Sequence, residues 1–146
     1  MTAPVFVDTN VLIYAFDEGQ PEKHSAARAW RDELWRSGRG RISFQVLQEF
    51  YAKVAQKWPS GREPARDEAR DLLAWQPVVV DASLLELGWK IQDRFQISFW
   101  DALIVAAAKT SGCRYLLTED LQPGQDFGGV LVVHPFQGKP GALPAI

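Results

Sequence analysis

The sequence contains few of the side chains that bind soft metals or act as nucleophiles. It has one cysteine, Cys113, and two histidines, His24 and His134, which lie far apart along the chain. A single cysteine excludes an intramolecular disulfide and a thiolate cluster for zinc, and the two histidines lack the close spacing of a metal-binding motif. We therefore expect Cys113 to be a buried apolar residue, and any catalytic chemistry to come from other side chains.

Long apolar segments and an excess of positive charge are also missing. The apolar run at residues 102–108 is much shorter than the roughly 20 residues that a membrane-spanning helix needs. Residues 1–5 lack a basic region followed by an apolar one, so we expect no signal peptide, no membrane contact and a cytoplasmic location. A net charge of −2 excludes a generally basic nucleic-acid binder. It does not exclude a nucleic-acid enzyme, because bound divalent ions can supply positive charge locally.

The remaining composition is typical of one globular domain. A chain of 146 residues, of which 47% are hydrophobic, can bury a core without disulfides. Segments with the apolar pattern of strands alternate with segments that have the periodicity and end signals of helices. The predicted strands span residues 4–8, 41–43, 77–80, 114–117 and 130–133, and the predicted helices span residues 10–16, 21–36, 44–58, 63–75, 82–95 and 98–111.

This alternation predicts an α/β fold with a mainly parallel central sheet. The domain is predicted to cover residues 1–134, followed by an irregular tail at 135–146 that is rich in glycine and proline. In such folds, ligands bind beyond the carboxyl ends of the strands. Asp8 and the segment after Leu117 both follow a predicted strand, so the fold could bring them together.

Asp8 is an acidic residue at the end of an apolar strand, and this position has two interpretations. A buried carboxylate is unfavourable unless something compensates its charge, and a metal ion would do so. Aspartate is also a preferred N-cap residue, so Asp8 could instead begin the helix that follows. Asn10 could support Asp8 through a hydrogen bond, or it could be the cap itself. The local pattern favours neither interpretation.

Asp101 and Glu49 also have ordinary structural interpretations. Ser98 and Asp101, three residues apart, resemble a capping box, and a carboxylate in a first helical turn gains from the helix dipole. This role is compatible with a carboxylate that points into a crevice. Glu49 lies opposite the apolar stripe of its helix and four residues before Lys53. Periodicity alone therefore predicts a solvent-exposed Glu49 in a surface ion pair.

A third acidic segment, at residues 118–120, follows the strand predicted at 114–117. Asp120 precedes a Pro-Gly pair, so the ordinary interpretation of this carboxylate is a turn residue. Glu119 is an equally suitable carboxylate by its position. Thr118 could orient Asp120 or a metal-bound water.

Four short segments together resemble one protein family. They are VDTNVL at residues 7–12, SFQVLQEF at 43–50, FWDALI at 99–104 and LLTEDL at 116–121. In this order, each beside the expected strand or helix, they are similar to the motifs of the PIN-domain family, and most of all to those of the VapC-type toxins of bacterial toxin–antitoxin pairs. The resemblance extends from residue 5 to residue 134, and the first and third segments are the most distinctive.

The resemblance implies a PIN-like three-layer α/β/α sandwich and a metal-dependent endoribonuclease that hydrolyses RNA. It implies Mg²⁺ as the cofactor, with Mn²⁺ as an alternative, and a homodimer and a cognate antitoxin protein as partners. Carried over position by position, the metal-binding and catalytic acids would be Asp8, Glu49, Asp101 and Asp120. Thr118 and Asn10 would support them, and Glu119 is a rival for the place of Asp120.

Carboxylates without histidine or thiolate suit hard divalent ions, and the mechanistic hypothesis is a metal-activated water that attacks phosphorus. Asp8 and Asp101 are the expected direct ligands. RNA must reach this acidic site across a basic rim. Basic residues follow Glu49 closely and are expected to contact phosphates; they are Lys53, Lys57 and Arg62.

Three other functions are compatible with parts of the pattern. A non-catalytic PIN-like module that binds a partner is one, although it would not need all four acids. A phosphoacceptor domain of the response-regulator kind could use Asp81, after the strand predicted at 77–80, but it needs an acidic pair where the first strand offers one acid. A haloacid-dehalogenase-like phosphatase needs an aspartate two residues after Asp8, where this chain has Asn10.

Overall fold

One parallel sheet organises the protein, which is described here by a computed structural model of residues 3–145. Residues 1, 2 and 146, at which the predicted domain begins and the predicted tail ends, lie outside the described residues. Within residues 3–145, the sheet has four short strands in the order β2-β1-β3-β4, and all three strand pairs are parallel. The strands are β1 (Val5–Val7), β2 (Gly40–Arg41), β3 (Tyr115–Leu117) and β4 (Leu131–Val133).

Six α-helices connect and flank these strands in the part of the chain that the structure describes. They are α1 (Thr9–Phe16), α2 (Pro21–Ser37), α3 (Phe44–Lys57), α4 (Arg62–Leu72), α5 (Ala82–Phe95) and α6 (Phe99–Thr110), with short 3-10 turns at Pro59–Gly61 and Leu73–Trp75. Helices α1 and α2 pack against each other, as do α5 and α6. The predicted α/β class with a parallel sheet is confirmed, and the arrangement fits the three-layer α/β/α sandwich that the resemblance implies.

Several helices begin and end at residues whose local chemistry favours a boundary. The hydroxyl of Ser43 accepts a hydrogen bond from the backbone N–H of Val46 and caps α3. Helix α2 ends at Gly38, whose φ of 72° lies in the left-handed region that glycine adopts at little cost. The predicted helix at 63–75 is divided, because its last turn tightens from α to 3-10 geometry at Leu73–Trp75.

The core lies between the sheet and the helices. All residues of β1 and β3 are buried, and so is every residue of α6 from 102 to 108. The apolar run in this helix is therefore an internal segment of the core. Gly88 allows α5 to approach α6 closely, because a Cβ atom there would lie 2.9 Å from Cδ2 of Leu103. No helix within the described ranges combines the length and the apolarity that crossing a bilayer requires.

The strand predicted at residues 77–80 is wrong. Val78 forms one isolated bridge with Ser43, and the chain does not continue as a strand, since the side chains of Val79 and Val80 are exposed. β-branched residues favour strands only where a neighbouring strand or a core is available. Asp81 is the N-cap of α5, where its carboxylate accepts a hydrogen bond from the N–H of Leu84. The phosphoacceptor hypothesis thereby loses the strand on which it depended.

The tail packs against α2. Residues 135–145 contain neither helix nor strand, and Pro135 is buried. The indole Nε1 of Trp30 donates a hydrogen bond of 2.9 Å to the carbonyl of Pro135. The domain boundary at residue 134 stays a prediction, but residues just beyond it contribute to the packing.

Candidate active site

Asp8 lies at the junction of β1 and α1, where it is both a helix cap and a buried acid. Its Oδ1 accepts a hydrogen bond of 2.7 Å from the N–H of Thr9, and its Oδ2 accepts one of 2.8 Å from the hydroxyl of Thr118. Only 6% of the residue is exposed. Burial raises the pKa of Asp8 to about 6, although these two hydrogen bonds lower it. The negative charges of Asp120 and Glu49 raise it further.

The side-chain amide of Asn10 connects this junction to the turn that follows β3. Its Nδ2 donates to Asp120 Oδ2 at 3.0 Å, to Thr118 Oγ1 at 3.2 Å and, more weakly, to Asp8 Oδ2 at 3.4 Å. The buried hydroxyl of Thr118 also accepts a hydrogen bond from the N–H of Asp120. The two segments meet because β1 and β3 are adjacent parallel strands, with Val7 beside Leu117. Asp8 and Asp120 are thus brought together.

Glu49 lies against the Asp8 junction rather than in open solvent. Its Oε2 accepts a hydrogen bond of 3.2 Å from the hydroxyl of Thr9, and its Oε1 accepts one of 2.9 Å from the side-chain amide of Gln45. The side chain is half-buried. The helical periodicity that predicted a surface residue was misleading, because that face of α3 is covered by the start of α1. Gln45 lies one helical turn before Glu49, and this spacing could have identified it.

Asp101 occupies the first turn of α6. The hydroxyl of Ser98 accepts a hydrogen bond of 3.1 Å from the N–H of Asp101, so Ser98 is the cap of this helix, as its spacing predicted. Burial raises the pKa of Asp101, hydrogen bonding with Ser98 lowers it, and the charges of Asp120 and Glu49 raise it further. The same two carboxylates thus act on both Asp8 and Asp101. Asp8 and Asp101 therefore share Asp120 and Glu49 as electrostatic neighbours.

Glu119 has a different environment from Asp120. Its Oε1 accepts a hydrogen bond of 2.9 Å from the hydroxyl of Tyr14, and its Oε2 lies 3.6 Å from Nζ of Lys23. Tyr14 and Lys23 lie on α1 and α2, and no pattern in the sequence singled them out.

The three basic residues expected at the rim have different environments. Nζ of Lys57 lies 3.3 Å from Oδ2 of Asp17 and pairs with this buried carboxylate. Lys53 and Arg62 are exposed, on α3 and at the start of α4. Contacts of these three residues with RNA stay a prediction.

The donor chemistry of the acid group fits a hard divalent cation, since all four side chains offer carboxylate oxygens. In residues 3–145, however, no three aspartate, glutamate, histidine or cysteine side chains are arranged so that they could hold one ion together. Asp120 and Glu49 are nevertheless close enough to Asp8 and Asp101 for their charges to raise the pKa of both. Cys113 is buried, and burial raises its pKa to about 11, so it is unsuited to act as a thiolate.

Comparisons with known proteins agree with this fold. Three similar solved structures come from bacterial toxin–antitoxin systems. A toxin–antitoxin complex from Klebsiella pneumoniae has a TM-score of 0.64 and 24% identity, over 90% of this chain and 97% of that chain. VapC20 of Mycobacterium tuberculosis, described as a sarcin–ricin-loop cleaving toxin, has a TM-score of 0.58 and 25% identity, over 77% of this chain and 86% of that chain. VapBC2 of Rickettsia felis, bound to a DNA fragment from its promoter, has a TM-score of 0.61 and 15% identity, over 88% of this chain and 96% of that chain.

The sequence comparison gives the family. No curated protein matches the chain. The family model of the PIN domain matches residues 5–123, which include all four candidate acids and both strands that position Asp8 and Asp120. With the parallel sheet and the acids at the ends of its strands, this match shows that the chain belongs to the PIN-domain family.

Proposed function

We propose that the protein is a metal-dependent endoribonuclease and the toxin of a toxin–antitoxin pair. The observation that carries this proposal is the hydrogen-bonded junction that joins Asp8, Glu49 and Asp120, carboxylates from three separate segments, through Thr9 and Asn10. The pKa of Asp8 and the pKa of Asp101 are both raised by the charges of Asp120 and Glu49. A group of mutually repelling acids is unfavourable for folding alone, and such groups are typical of functional sites.

Mg²⁺ or Mn²⁺ is the proposed cofactor, since oxygen-only ligands favour such ions. When bound, a divalent ion would lower the pKa of a water and offset the negative charge that develops on the phosphate. Asp8 and Asp101 would hold the ion directly, and Glu49 and Asp120 would complete the site.

The neighbouring polar side chains orient these acids. The hydroxyl of Thr118 and the backbone N–H of Thr9 each donate to one oxygen of Asp8, so the carboxylate cannot rotate freely. Thr9 and Gln45 hold the two oxygens of Glu49 in the same way. Such orientation before a substrate binds lowers the cost of reaching the reactive geometry.

RNA is the proposed substrate, and a cognate antitoxin and a second copy of the chain are the proposed partners. The likeness to VapC20, a toxin that cleaves the sarcin–ricin loop, supports RNA as the substrate class. The resemblance of the four motifs to VapC-type toxins supports the antitoxin, the homodimer and a cytoplasmic location. Lys53 and Arg62 are the proposed phosphate contacts, and Lys57 contributes less because it is paired with Asp17.

The test is cleavage of a structured, mixed-sequence RNA by the purified protein in Mg²⁺ or in Mn²⁺. EDTA and the variant Asp101→Asn should each abolish cleavage. Asp93→Asn is the matched control, because Asp93 is an exposed aspartate on α5, and this variant should cut like the wild type.

A non-catalytic partner-binding module is the second candidate. It would be favoured if folded, antitoxin-free protein cut no RNA and bound no metal in a titration. Cleavage that persisted in EDTA, or in Asp101→Asn, would contradict the proposed metal-dependent reaction.

A further inference from the structure

The side chain of Glu119 is held by two residues that have no place in the acid group. The hydroxyl of Tyr14 donates to Glu119 Oε1 at 2.9 Å, and Nζ of Lys23 lies 3.6 Å from Oε2. Nζ of Lys23 also donates to the hydroxyl of Tyr14 at 3.2 Å. The three side chains therefore form a closed set of polar contacts between α1, α2 and the turn after β3.

Aromatic packing restrains the same set from the other side. The ring of Phe136, in the tail, contacts the ring of Tyr14 edge to face, with 5.2 Å between their centroids. Nζ of Lys23 lies 4.8 Å from the centroid of Tyr14 and 5.3 Å from that of Phe136. The side chain of Glu119 is only 23% exposed. These contacts leave Tyr14, and through it Glu119, little freedom to move.

Glu119 also links these polar contacts to the candidate acids. Its backbone N–H donates, over a long 3.4 Å, to Oδ1 of Asn10. That contact fixes the orientation of the Asn10 amide. With Oδ1 at the N–H of Glu119, Nδ2 must point to the acceptors on Asp8, Thr118 and Asp120. A reversed amide would place an oxygen against those acceptors and would lose all three hydrogen bonds.

We propose that Tyr14, Lys23 and Glu119 form a clamp that positions Asn10 and Asp120 for the reaction. These are positioning residues: they act through Asn10 and the turn, and they neither bind the metal nor touch the substrate. The clamp deepens the proposed nuclease function and rests on it. It also assigns Glu119 a role other than that of the fourth acid, since both of its carboxylate oxygens are already engaged.

The first variant is Tyr14→Phe, which removes the hydroxyl and keeps the ring against Phe136. It should lower kcat for RNA cleavage about tenfold, with little change in KM or Tm, because misplacing a catalytic group slows the reaction without weakening substrate binding. The matched control is Tyr51→Phe. The hydroxyl of Tyr51 accepts hydrogen bonds from Arg66 on α4, and this variant should keep the wild-type kcat.

Two variants of Glu119 separate positioning from metal binding. Glu119→Gln keeps an oxygen that can accept from Tyr14, so it should retain most of the activity, whereas Glu119→Ala should lose at least as much as Tyr14→Phe. The double variant Tyr14→Phe/Glu119→Ala should be no slower than Glu119→Ala, because the two changes break the same contact. The Mg²⁺ concentration for half-maximal activity should not change. A metal ligand would behave differently: Glu119→Gln would be as inactive as Glu119→Ala, and both would need more Mg²⁺.

A readout that does not depend on catalysis keeps the clamp testable if the nuclease proposal fails. In NMR spectra of the wild type, the side-chain NH₂ of Asn10 should give two well-separated, exchange-protected signals. Tyr14→Phe should shift them and speed their exchange, and Tyr51→Phe should not. Wild-type protein that cuts no RNA but shows this NMR response would contradict the nuclease proposal and support the clamp. Unchanged Asn10 signals in Tyr14→Phe, or an unchanged kcat, would overturn the clamp.

Discussion

Helix α1 has a buried aspartate at each end, and the two have opposite pKa shifts. Asp8 is 6% exposed at the start of the helix and Asp17 is 8% exposed at its end. The pKa of Asp8 is raised to about 6, whereas that of Asp17 is lowered from its ordinary value. The helix dipole alone would stabilise a negative charge at the start and destabilise it at the end, which is the reverse order.

The partners of the two carboxylates explain the reversal. Asp17 accepts a hydrogen bond of 2.8 Å from the N–H of Gly19, the main cause of its lowered pKa, and Lys57 contributes a further hydrogen bond and an opposite charge. Asp8 is more completely desolvated and faces the like charges of Asp120 and Glu49. Within residues 3–145, no lysine or arginine forms an ion pair with Asp8, although several other acids have such partners.

We propose that the difference separates a structural acid from a functional one. Asp17 is compensated by the protein itself and stabilises the end of α1. Asp8 is left partly uncompensated by the residues around it, which is the expected condition of a site that compensates its charge with a ligand. Variants of the two acids test this distinction.

Asp8→Asn should lower the rate of RNA cleavage at least about 100-fold, because it removes a charged ligand from the proposed site. Asp17→Asn should leave that rate unchanged and lower the free energy of unfolding by about 1 kcal/mol, since it removes the charge that pairs with Lys57. Cleavage kinetics and urea unfolding of both variants measure this. Equal activity of Asp8→Asn and the wild type would refute the functional role of Asp8.

Mn²⁺ should raise the Tm of the wild type. An ion that binds only the folded state adds about 2.7 kcal/mol at 100 times its dissociation constant. Asp8→Asn should blunt the rise, and Asp17→Asn should respond like the wild type. Thermal unfolding with and without millimolar Mn²⁺ measures the effect, and a wild-type Tm that is insensitive to Mn²⁺ would count against the metal site.

The pH dependence of stability should differ in sign between the two acids. Folding raises the pKa of Asp8 from 3.8 to about 6, so the folded protein holds that proton more tightly and loses stability as pH rises through this interval. Asp8→Asn should therefore gain about 2–3 kcal/mol relative to the wild type between about pH 4 and pH 7.5.

Asp17 should behave in the opposite way. Its lowered pKa means that its charged form stabilises the fold above the ordinary aspartate pKa, and that this contribution is lost as pH falls below it. Asp17→Asn should thus be less stable than the wild type at neutral pH and approach it in acid. Urea unfolding from about pH 7.5 down to below the ordinary aspartate pKa of 3.8 measures both variants. Parallel pH profiles for Asp8→Asn and Asp17→Asn would refute the comparison.

The smallest effect concerns the lysines on α3. Lys53→Ala should weaken RNA binding at low salt and reduce the slope of log affinity against log salt by about 1, the amount expected for one phosphate contact. Lys57→Ala should instead lower stability, because Lys57 pairs with Asp17. Lys90→Ala, an exposed lysine on α5, is the control. If Lys53→Ala and Lys90→Ala have the same salt slope, the proposed phosphate contact is wrong.

Local patterns predicted most of the fold. Ser98 was identified as a cap from its spacing to Asp101, and the helices α3 and α5 lie within a residue of their predicted bounds. The failure at residues 77–80 has a physical cause: whether a β-branched segment becomes a strand depends on a neighbour to pair with. Val78 forms an isolated bridge with Ser43, and the side chains of Val79 and Val80 are exposed.

The sequence predicted which residues belong to the candidate site, but it did not predict their environments. Four short segments identified the acids, but periodicity placed Glu49 in solvent, and nothing local distinguished Asp120 from Glu119. Their environments come from side chains on other elements. The hydroxyl of Thr9 donates a hydrogen bond to Glu49, and the amide of Asn10 donates one to Asp120. Glu119 instead accepts a hydrogen bond from Tyr14 and pairs with Lys23.

The sequence by itself determined the family, the order of the six helices and of the four strands that form the sheet, and the set of candidate acids, because each of these is encoded in contiguous residues. The tertiary structure alone decided which of these acids lie near one another, and in which direction the pKa values of Asp8, Asp101 and Asp17 shift. Burial and hydrogen bonding depend on residues far apart in the chain; Thr118, which holds Asp8, is 110 residues away from it. Two aspartates at the ends of one short helix can therefore carry opposite shifts that no local pattern distinguishes.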